Sequence, residues 1–252
     1  MTPQIPEYVL SFETIFRPLV MTMALGLIWL GAARMPGSVK SRYTTAGALS
    51  AVFIGWEVVA QYLGAANAYL ATIESPQPVP TLLFGLLIPL VVAAMALWRS
   101  ESVAALVAAI PLHWLVAAQV YRVAGGIFLV LWADGRLPWQ FALPAGIGDV
   151  ITGIAAVVVA ARLARNAIGA ETATYAWCLF GIADLVVAIA MGAMTSPGQV
   201  HVLALDAPNL LMTAYPLVMV PTFAVPLALM LHGLVLLRLR QGAAATRWLA
   251  AT

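Results

Sequence analysis

The sequence predicts an all-α integral membrane protein, built as a single bundle of about seven transmembrane helices. Composition is the first reason: 63% of the 252 residues are hydrophobic and only 9% are charged, with a mean hydropathy of +0.98. A soluble domain carries about 25% charged residues, so the surface of this chain suits lipid rather than water. Length is the second reason, since each span needs about 20 apolar residues and the chain has room for roughly six to eight.

Charged residues and prolines bound the first three spans. We expect the first over residues 18–33, ending before Arg34, the second over residues 44–70, interrupted by Glu57, and the third over residues 80–98. Glutamates rather than basic residues precede the first run, which is therefore expected to be a retained span and not a cleaved signal peptide.

The next three spans follow the same pattern of long apolar runs between charged or glycine-containing connections. They are expected over residues 102–132, which include His113 and Arg122, over residues 141–162 and over residues 172–194. Together with the first three, they leave no stretch polar enough for a separate soluble domain. The whole chain, residues 1–252, is thus one polytopic domain.

The last apolar stretch is too long for one straight helix. From Val202 to Leu237 it would exceed about 50 Å, against a hydrocarbon core of about 30 Å. Prolines also interrupt it, and each removes a backbone donor and kinks or breaks a helix: Pro208, Pro216, Pro221 and Pro226. We expect a proline-kinked seventh span within residues 206–237, in which residues 206–220 are either re-entrant or part of the last helix.

Basic residues in the connections predict an N-terminus outside and a C-terminus in the cytoplasm, because cytoplasmic loops are enriched in lysine and arginine. Nine of the twelve basic residues follow odd-numbered spans: Arg34, Lys40, Arg42, Arg99, Arg162, Arg165, Arg238, Arg240 and Arg247. We expect the membrane to be the bacterial cytoplasmic (inner) membrane.

An ion pair between Arg122 and Asp149 is expected in the interior of the bundle. The two residues lie at similar depth on consecutive spans, and a guanidinium and a carboxylate satisfy each other in a fork geometry. Two readings remain open: the pair locks the two helices together, or Arg122 contacts a polar substrate and Asp149 tunes it.

A polar pocket for a ligand or a proton is expected near the middle of the membrane, formed by Glu57 with Trp56, His113 with Trp114, and Asp184. Ionisable groups at this depth are costly and should face the bundle interior. Indoles prefer the membrane interface, so two of them at mid-depth beside ionisable groups indicate a polar site. The alternative reading is a hydrogen-bonded packing defect without function.

A b-type haem is a further reading, with His113 and His232 as axial ligands from two helices. No metal-ligand spacing is present, so the sequence assigns no metal. Neither a phosphate-binding loop nor a nucleotide fingerprint occurs.

Two local strings carry an aspartate at their fourth position. Residues 146–155, GIGDVITGIA, echo residues 181–190, GIADLVVAIA. The string Gly146-x-Gly148-Asp149 is also similar to the GxGD string of intramembrane aspartyl proteases, which implies a second aspartate on the preceding helix, where span four offers Arg122 instead. The proline-containing element of that family is absent near span seven, and the sequence favours a binding protein over an enzyme.

The function predicted from these features is binding or transport of a small solute or proton by a pocket between helices. The alternatives are a haem-carrying electron-transfer subunit and a non-catalytic subunit of a larger membrane complex. Expected partners are the lipid bilayer, the small ligand or proton, and in the third case other membrane subunits. No nucleic-acid partner is expected.

Overall fold

The fold is known from a computed structural model that describes residues 3–76 and 81–251, with side chains described up to Gln241. Its regular structure in these ranges is helical, without strands. Seven of the helical segments are long and apolar enough to cross a membrane. The predicted all-α class, with seven long apolar helices fitting a membrane bundle, is confirmed.

The elements follow one another along the chain with short connections. In order they are α1 (Glu7–Arg34), α2 (Val39–Ala65), α3 (Thr81–Arg99), α4 (Glu101–Ala109), α5 (Leu112–Ala117), a 3₁₀ segment (Ala118–Gly125), α6 (Gly126–Ala133), α7 (Trp139–Ala164), α8 (Ala170–Thr195), a 3₁₀ turn (Leu211–Thr213), a π turn (Val220–Ala224) and α9 (Val225–Ala251).

Helix α1 begins at Glu7, well before the predicted start at residue 18, and Pro18 lies inside it. The early turns contain Glu13, which is buried, and Arg17, which pairs with α2. These polar groups are compatible with a helix in the bundle because other helices surround them. Because both residues are charged, hydropathy alone predicts that the span begins after them.

The fourth predicted span, residues 102–132, is not one helix. Pro111 separates α4 from α5, and a 3₁₀ segment follows before α6. Proline has no N–H, so the carbonyl of Val107 loses its helical donor. Nη1 of Arg238, on α9, donates to the carbonyls of Val107, Ala108 and Ile110 at 3.1, 2.6 and 3.1 Å. Arg238 therefore stabilises the break by satisfying carbonyls at the C-terminal end of α4, where the helix dipole also favours a positive charge.

The last predicted span, residues 206–237, also divides. Its first part is irregular apart from the 3₁₀ turn, yet Leu217 and Val218 are fully buried. The long helix follows the π turn. Pro226 deprives the carbonyl of Thr222 of its α-helical donor, and the indole Nε1 of Trp56, on α2, donates to that carbonyl at 3.1 Å.

Helix α7 packs against α5, the 3₁₀ segment, α6 and α8. Its buried face consists largely of small side chains, including Ala142, Ala145 and Ala156, which are 0% exposed. Small residues allow helix backbones to approach closely in lipid. This close packing brings Asp149, on α7, next to Arg122 of the 3₁₀ segment.

Candidate functional site

A single guanidinium joins α7 and α8 in the bundle interior. Arg122 projects from the 3₁₀ segment, and its side chain is 2% exposed. Its Nε donates to Oδ1 of Asp149 at 2.7 Å, and its Nη2 donates to Oδ2 of Asp184. The expected contact between Arg122 and Asp149 is present, and Asp184 joins the same cation instead of the predicted midplane pocket.

The other terminal nitrogen of Arg122 binds the side of the cluster formed by α8 and α9. Nη1 donates to the carbonyl of Gly181 at 3.2 Å and to Nε2 of His232 at 3.3 Å. That contact requires an unprotonated Nε2, so the imidazole is neutral. Nδ1 of His232 lies 3.5 Å from Sγ of Cys178, and the ring packs 4.7 Å from the indole of Trp177, centroid to centroid.

Two glycines provide the space that this cluster occupies. A β-carbon at Gly148 would overlap the carboxyl group of Asp184. A β-carbon at Gly181 would lie 2.5 Å from Nε2 of His232, far closer than van der Waals contact allows. Gly148 and Gly181, one in each of the two similar strings, are thus needed for Asp184 and His232 to reach Arg122.

The formal charges of the cluster do not balance. One guanidinium faces two carboxylates, and His232 contributes no charge in the observed arrangement. With both carboxylates ionised, the cluster has a net charge of −1. An uncompensated buried charge costs several kcal/mol, so the cluster has a strong preference for one additional positive charge.

Only one of the two aspartates faces open space. Asp149 is 16% exposed and lines a cavity of about 380 Å³, whereas Asp184 is 6% exposed and is not among the residues lining it. Phe128, Phe141 and Leu185 line the same cavity. No described lining residue other than Asp149 is charged. The cavity is otherwise apolar near the carboxylate.

A small cavity of about 30 Å³ lies on the other side of Asp149, against α1. Phe12 and Phe16 of α1 line it together with Tyr121 and Arg122. Its volume is enough for about one or two water molecules. Asp149 therefore lies between the large cavity and the face of α1 that carries Glu13.

A second polar cluster joins α1, α2 and the segment before the π turn. Nε of Arg17 lies 3.4 Å from Oε1 of Glu57, and Nη1 donates to the hydroxyl of Tyr215 at 3.3 Å. Nε2 of Gln61 donates to the same hydroxyl at 3.3 Å. One turn before Arg17, Glu13 is 5% exposed, and its Oε1 has no hydrogen-bond partner among the described residues.

The predicted midplane pocket is not formed, which corrects that prediction. Glu57 pairs with Arg17, and Trp56 donates to the backbone of Thr222. Trp114 is 49% exposed on the outside of the bundle, so its indole faces away from any interior site. His113 lies next to Trp114, with ring centroids 6.0 Å apart, and the described contacts do not connect it to Glu57 or Asp184.

A haem between His113 and His232 does not fit this arrangement. Axial ligation needs a free imidazole nitrogen and an open face for the porphyrin. Both nitrogens of His232 already contact protein atoms, and its side chain is 0% exposed. Across the described part of the chain, no group of three or more histidine, cysteine, aspartate or glutamate side chains is placed to hold a metal ion.

Sequence reasoning missed the contributions of His232, Cys178 and Trp177 to the cluster, and it missed Arg17. The one available signal for Asp184 was the echo between the two strings, which places it at the position equivalent to Asp149. Helical periodicity alone does not reveal that the carboxylates of antiparallel helices meet on one cation. Both aspartates contact the guanidinium of Arg122, which pairs with one carboxylate on each helix.

Comparison with known proteins gives one match. The sequence profile of a family described as Domain of unknown function (DUF8737) matches residues 78–240. This range contains all members of the Arg122 cluster, whereas Arg17 and Glu57 of the second polar cluster lie before it. No curated protein and no solved structure matches the chain.

Proposed function

This chain belongs to the family described as Domain of unknown function (DUF8737), and we propose that it is a membrane-embedded binding or transport protein for a small solute, with a proton exchanged at Asp149. The observation that supports this function is a cluster of one guanidinium and two carboxylates at the inner end of a cavity of about 380 Å³. Intramembrane ionisable groups of this kind commonly mark solute or proton sites.

The two aspartates have different roles in this proposal. Asp184 is enclosed by α7 and α8 and holds the guanidinium of Arg122 in place. Asp149 also accepts from Arg122, but through Oδ1 alone; its Oδ2 accepts no hydrogen bond from the described residues. Because Asp149 lines both cavities, its carboxylate is the one that can gain or lose a proton without opening the bundle.

When no solute is bound, a proton on Asp149 supplies the positive charge that the cluster lacks. With Asp149 protonated, Arg122 and Asp184 form a balanced pair, and no uncompensated charge remains in the low-dielectric interior. A solute entering the cavity changes the surroundings of Asp149 and therefore its proton affinity. Binding and proton exchange are thus coupled through one side chain.

We also propose that the N-terminus lies outside and the C-terminus in the cytoplasm. Arg34, Arg99 and Arg162 lie in the last turns of the first, third and fifth long apolar helices, and basic residues at span ends are typical of the cytoplasmic side. The bacterial cytoplasmic membrane remains the proposed location. The proline-kinked start of the last span, with its π turn at Val220–Ala224, is proposed as the element that moves, since π turns and prolines weaken helical hydrogen bonding.

Infrared spectroscopy of the purified protein in lipid tests the proton on Asp149. The wild type is expected to show the carbonyl stretch of a protonated, buried carboxylic acid at neutral pH. Glu13→Gln is the background for this measurement, because Glu13 is a second buried carboxyl group, and its Oε1 has no hydrogen-bond partner among the described residues. In that background Asp149→Asn should lose the band, because the remaining pair is balanced and Asp184 stays ionised.

Asp134→Asn is the matched control, since Asp134 is a half-exposed loop residue paired with Arg136. It should leave the band unchanged. A Glu13→Gln spectrum without the band, or a band that persists when Asp149→Asn is added to it, would rule out this proton site.

A further inference from the structure

We infer that the solute is a small lipophilic monocation, an amine with one ammonium group on an apolar body, and that it competes with the proton for Asp149. This inference rests on the proposed function and specifies its ligand. It comes from the chemistry of the cavity of about 380 Å³, whose only charged lining residue in the described part of the chain is Asp149.

The charge of the site selects a cation over an anion. Arg122 is the only cation within the cluster, and its Nε, Nη1 and Nη2 already donate to Asp149, to Gly181 and His232, and to Asp184. All three guanidinium nitrogens of Arg122 therefore already donate to protein acceptors. Asp149 lines the cavity, and its Oδ2 accepts no hydrogen bond from the described residues, so this carboxylate is the acceptor left for a ligand. One more positive charge balances the cluster.

The walls of the cavity select an organic cation over a metal ion. Apolar side chains such as Leu86, Ile189 and Val225 form most of its lining. A single carboxylate among them cannot replace the six or more oxygen ligands that a hard cation such as Ca²⁺ takes from proteins and water. An alkylammonium needs only one anionic partner, and its apolar body gains about 25 cal/mol for each Å² removed from water.

Aromatic rings in the cavity add to this selection. Phe128 and Phe141 line the cavity together with Asp149, and their ring centroids are 5.4 Å apart. A cation near the face of an aromatic ring gains about 0.5–2 kcal/mol, more when it is desolvated. The cavity thus combines one carboxylate with aromatic and aliphatic walls, which suit an ammonium group on an apolar body.

The outer end of the cavity is more polar and reaches the end of the bundle. Tyr69 and Ala71 after α2, Thr81 at the start of α3 and residues 196–200 after α8 line it. Val200 is 56% exposed, so this end lies next to the surface. The total volume falls in the range of about 300–1,000 Å³ that small-molecule pockets occupy. In the proposed orientation this end faces the outside.

One positive charge exchanges for another in the binding step. The ammonium approaches Oδ2 of Asp149, the proton leaves the carboxyl group for water, and the ion pair replaces the neutral acid. The cluster keeps the same net charge before and after. Binding therefore releases about one proton per ligand, and affinity falls about tenfold for each unit of decrease in pH while the free site is protonated.

Calorimetry with a matched pair of probes tests this inference. The probes are 2-phenylethylamine, which is cationic at pH 7.5, and 2-phenylethanol, its neutral counterpart. The wild-type chain in lipid nanodiscs should bind the amine at least tenfold more tightly than the alcohol. Titrations in buffers of different ionisation enthalpy should report release of about one proton with the amine and none with the alcohol.

Two pairs of variants test the role of the Asp149 carboxylate and the role of the cavity separately. Asp149→Asn should remove the preference for the amine and the proton release, whereas Asp134→Asn should keep both. Ala188→Phe places a ring in the cavity and should weaken both probes at least tenfold. Ala183→Phe, on the exposed side of the same helix, is its control and should bind like the wild type.

The outcomes distinguish this inference from the proposed function. Equal binding of amine and alcohol, or amine binding without proton release, would overturn the ligand class. If the infrared band of Asp149 is nevertheless present, the proton site stands and only the ligand class fails. If the band is absent as well, both fail.

Discussion

Asp149 and Asp184 occupy equivalent positions in two similar strings on antiparallel helices, and both carboxylates accept hydrogen bonds from Arg122. The cluster therefore contains one more carboxylate than it has cations. This imbalance makes the three residues unequal in their expected effects on stability, although all three lie in the interior of the bundle.

Loss of the arginine should be far more harmful than loss of the cavity-lining aspartate. Arg122→Gln leaves the buried carboxylate of Asp184 without a cation and should cost about 3–5 kcal/mol. Asp149→Asn leaves a balanced pair and keeps an acceptor for Nε, so its cost should stay within about 1 kcal/mol. The measurement is the midpoint of unfolding in detergent. The double variant should recover part of the loss in Arg122→Gln, and strictly additive losses would contradict the pairing.

Close packing at two glycines should be equally testable. Gly148→Ala and Gly181→Ala place a methyl group against Asp184 and His232, and overpacking of this kind costs about 1–3 kcal/mol. Gly26→Ala is the control, because nothing lies within 4 Å of its added β-carbon. It should be neutral or stabilising, since alanine favours helix by about 0.5–1 kcal/mol. Equal stability of all three variants in thermal unfolding would contradict the close approach.

The hydrogen bond from Trp56 should stabilise the fold because Pro226 leaves the carbonyl of Thr222 without its α-helical donor. Trp56→Phe removes the donor to the carbonyl of Thr222 and should cost about 1 kcal/mol. Pro226→Ala restores a backbone donor for the same carbonyl, so Trp56→Phe should cost less in that background. A double-mutant cycle on unfolding midpoints measures the difference. An unchanged cost in the two backgrounds would show that the indole acts through packing alone.

Arg238 should stabilise the break between α4 and α5, although it lies near the end of an apolar helix. Arg238→Ala removes donors from the carbonyls of Val107, Ala108 and Ile110 and should cost about 1.5–3 kcal/mol, as expected for charged hydrogen bonds. Arg240→Ala, an exposed neighbour on α9, is the matched control and should change stability by less than about 0.5 kcal/mol. The unfolding midpoints of the two variants should therefore differ clearly. Equal midpoints would show that the hydrogen bonds of Arg238 to the end of α4 do not contribute to stability.

The proposed orientation predicts which connections are accessible from outside the cell. In a Cys178→Ala background, single cysteines at Gly37 and Asn166 should resist a membrane-impermeant maleimide in intact cells and react after permeabilisation. A cysteine at Gly135 should react in intact cells. Labelling of positions 37 and 166 from opposite faces would disprove the topology and the assignment of the outer cavity mouth.

Much of the large-scale architecture could be predicted from the chain alone. Hydropathy is a property of consecutive residues, so six of the apolar runs located long helices even where their ends differed. The contact between Arg122 and Asp149 could also be anticipated, because consecutive helices with a short connection must lie side by side. The start of α1 could not be predicted by the same rule, since Glu13 and Arg17 are tolerated only where α2 and neighbouring segments surround them.

The sequence by itself determined the solvent of this protein, its helical class and the rarity of charge in its interior, because these depend on composition and on runs of adjacent residues. Only the tertiary structure decided that Asp184 joins Arg122 and not Glu57, that His232 is enclosed by protein, and that Asp149 alone faces the cavity. Those facts depend on the rotation and approach of helices distant in the chain, and Gly148 and Gly181 set that approach. The physical reason is that hydrophobicity acts residue by residue, whereas charge balance in a buried site is a property of groups that only packing brings together.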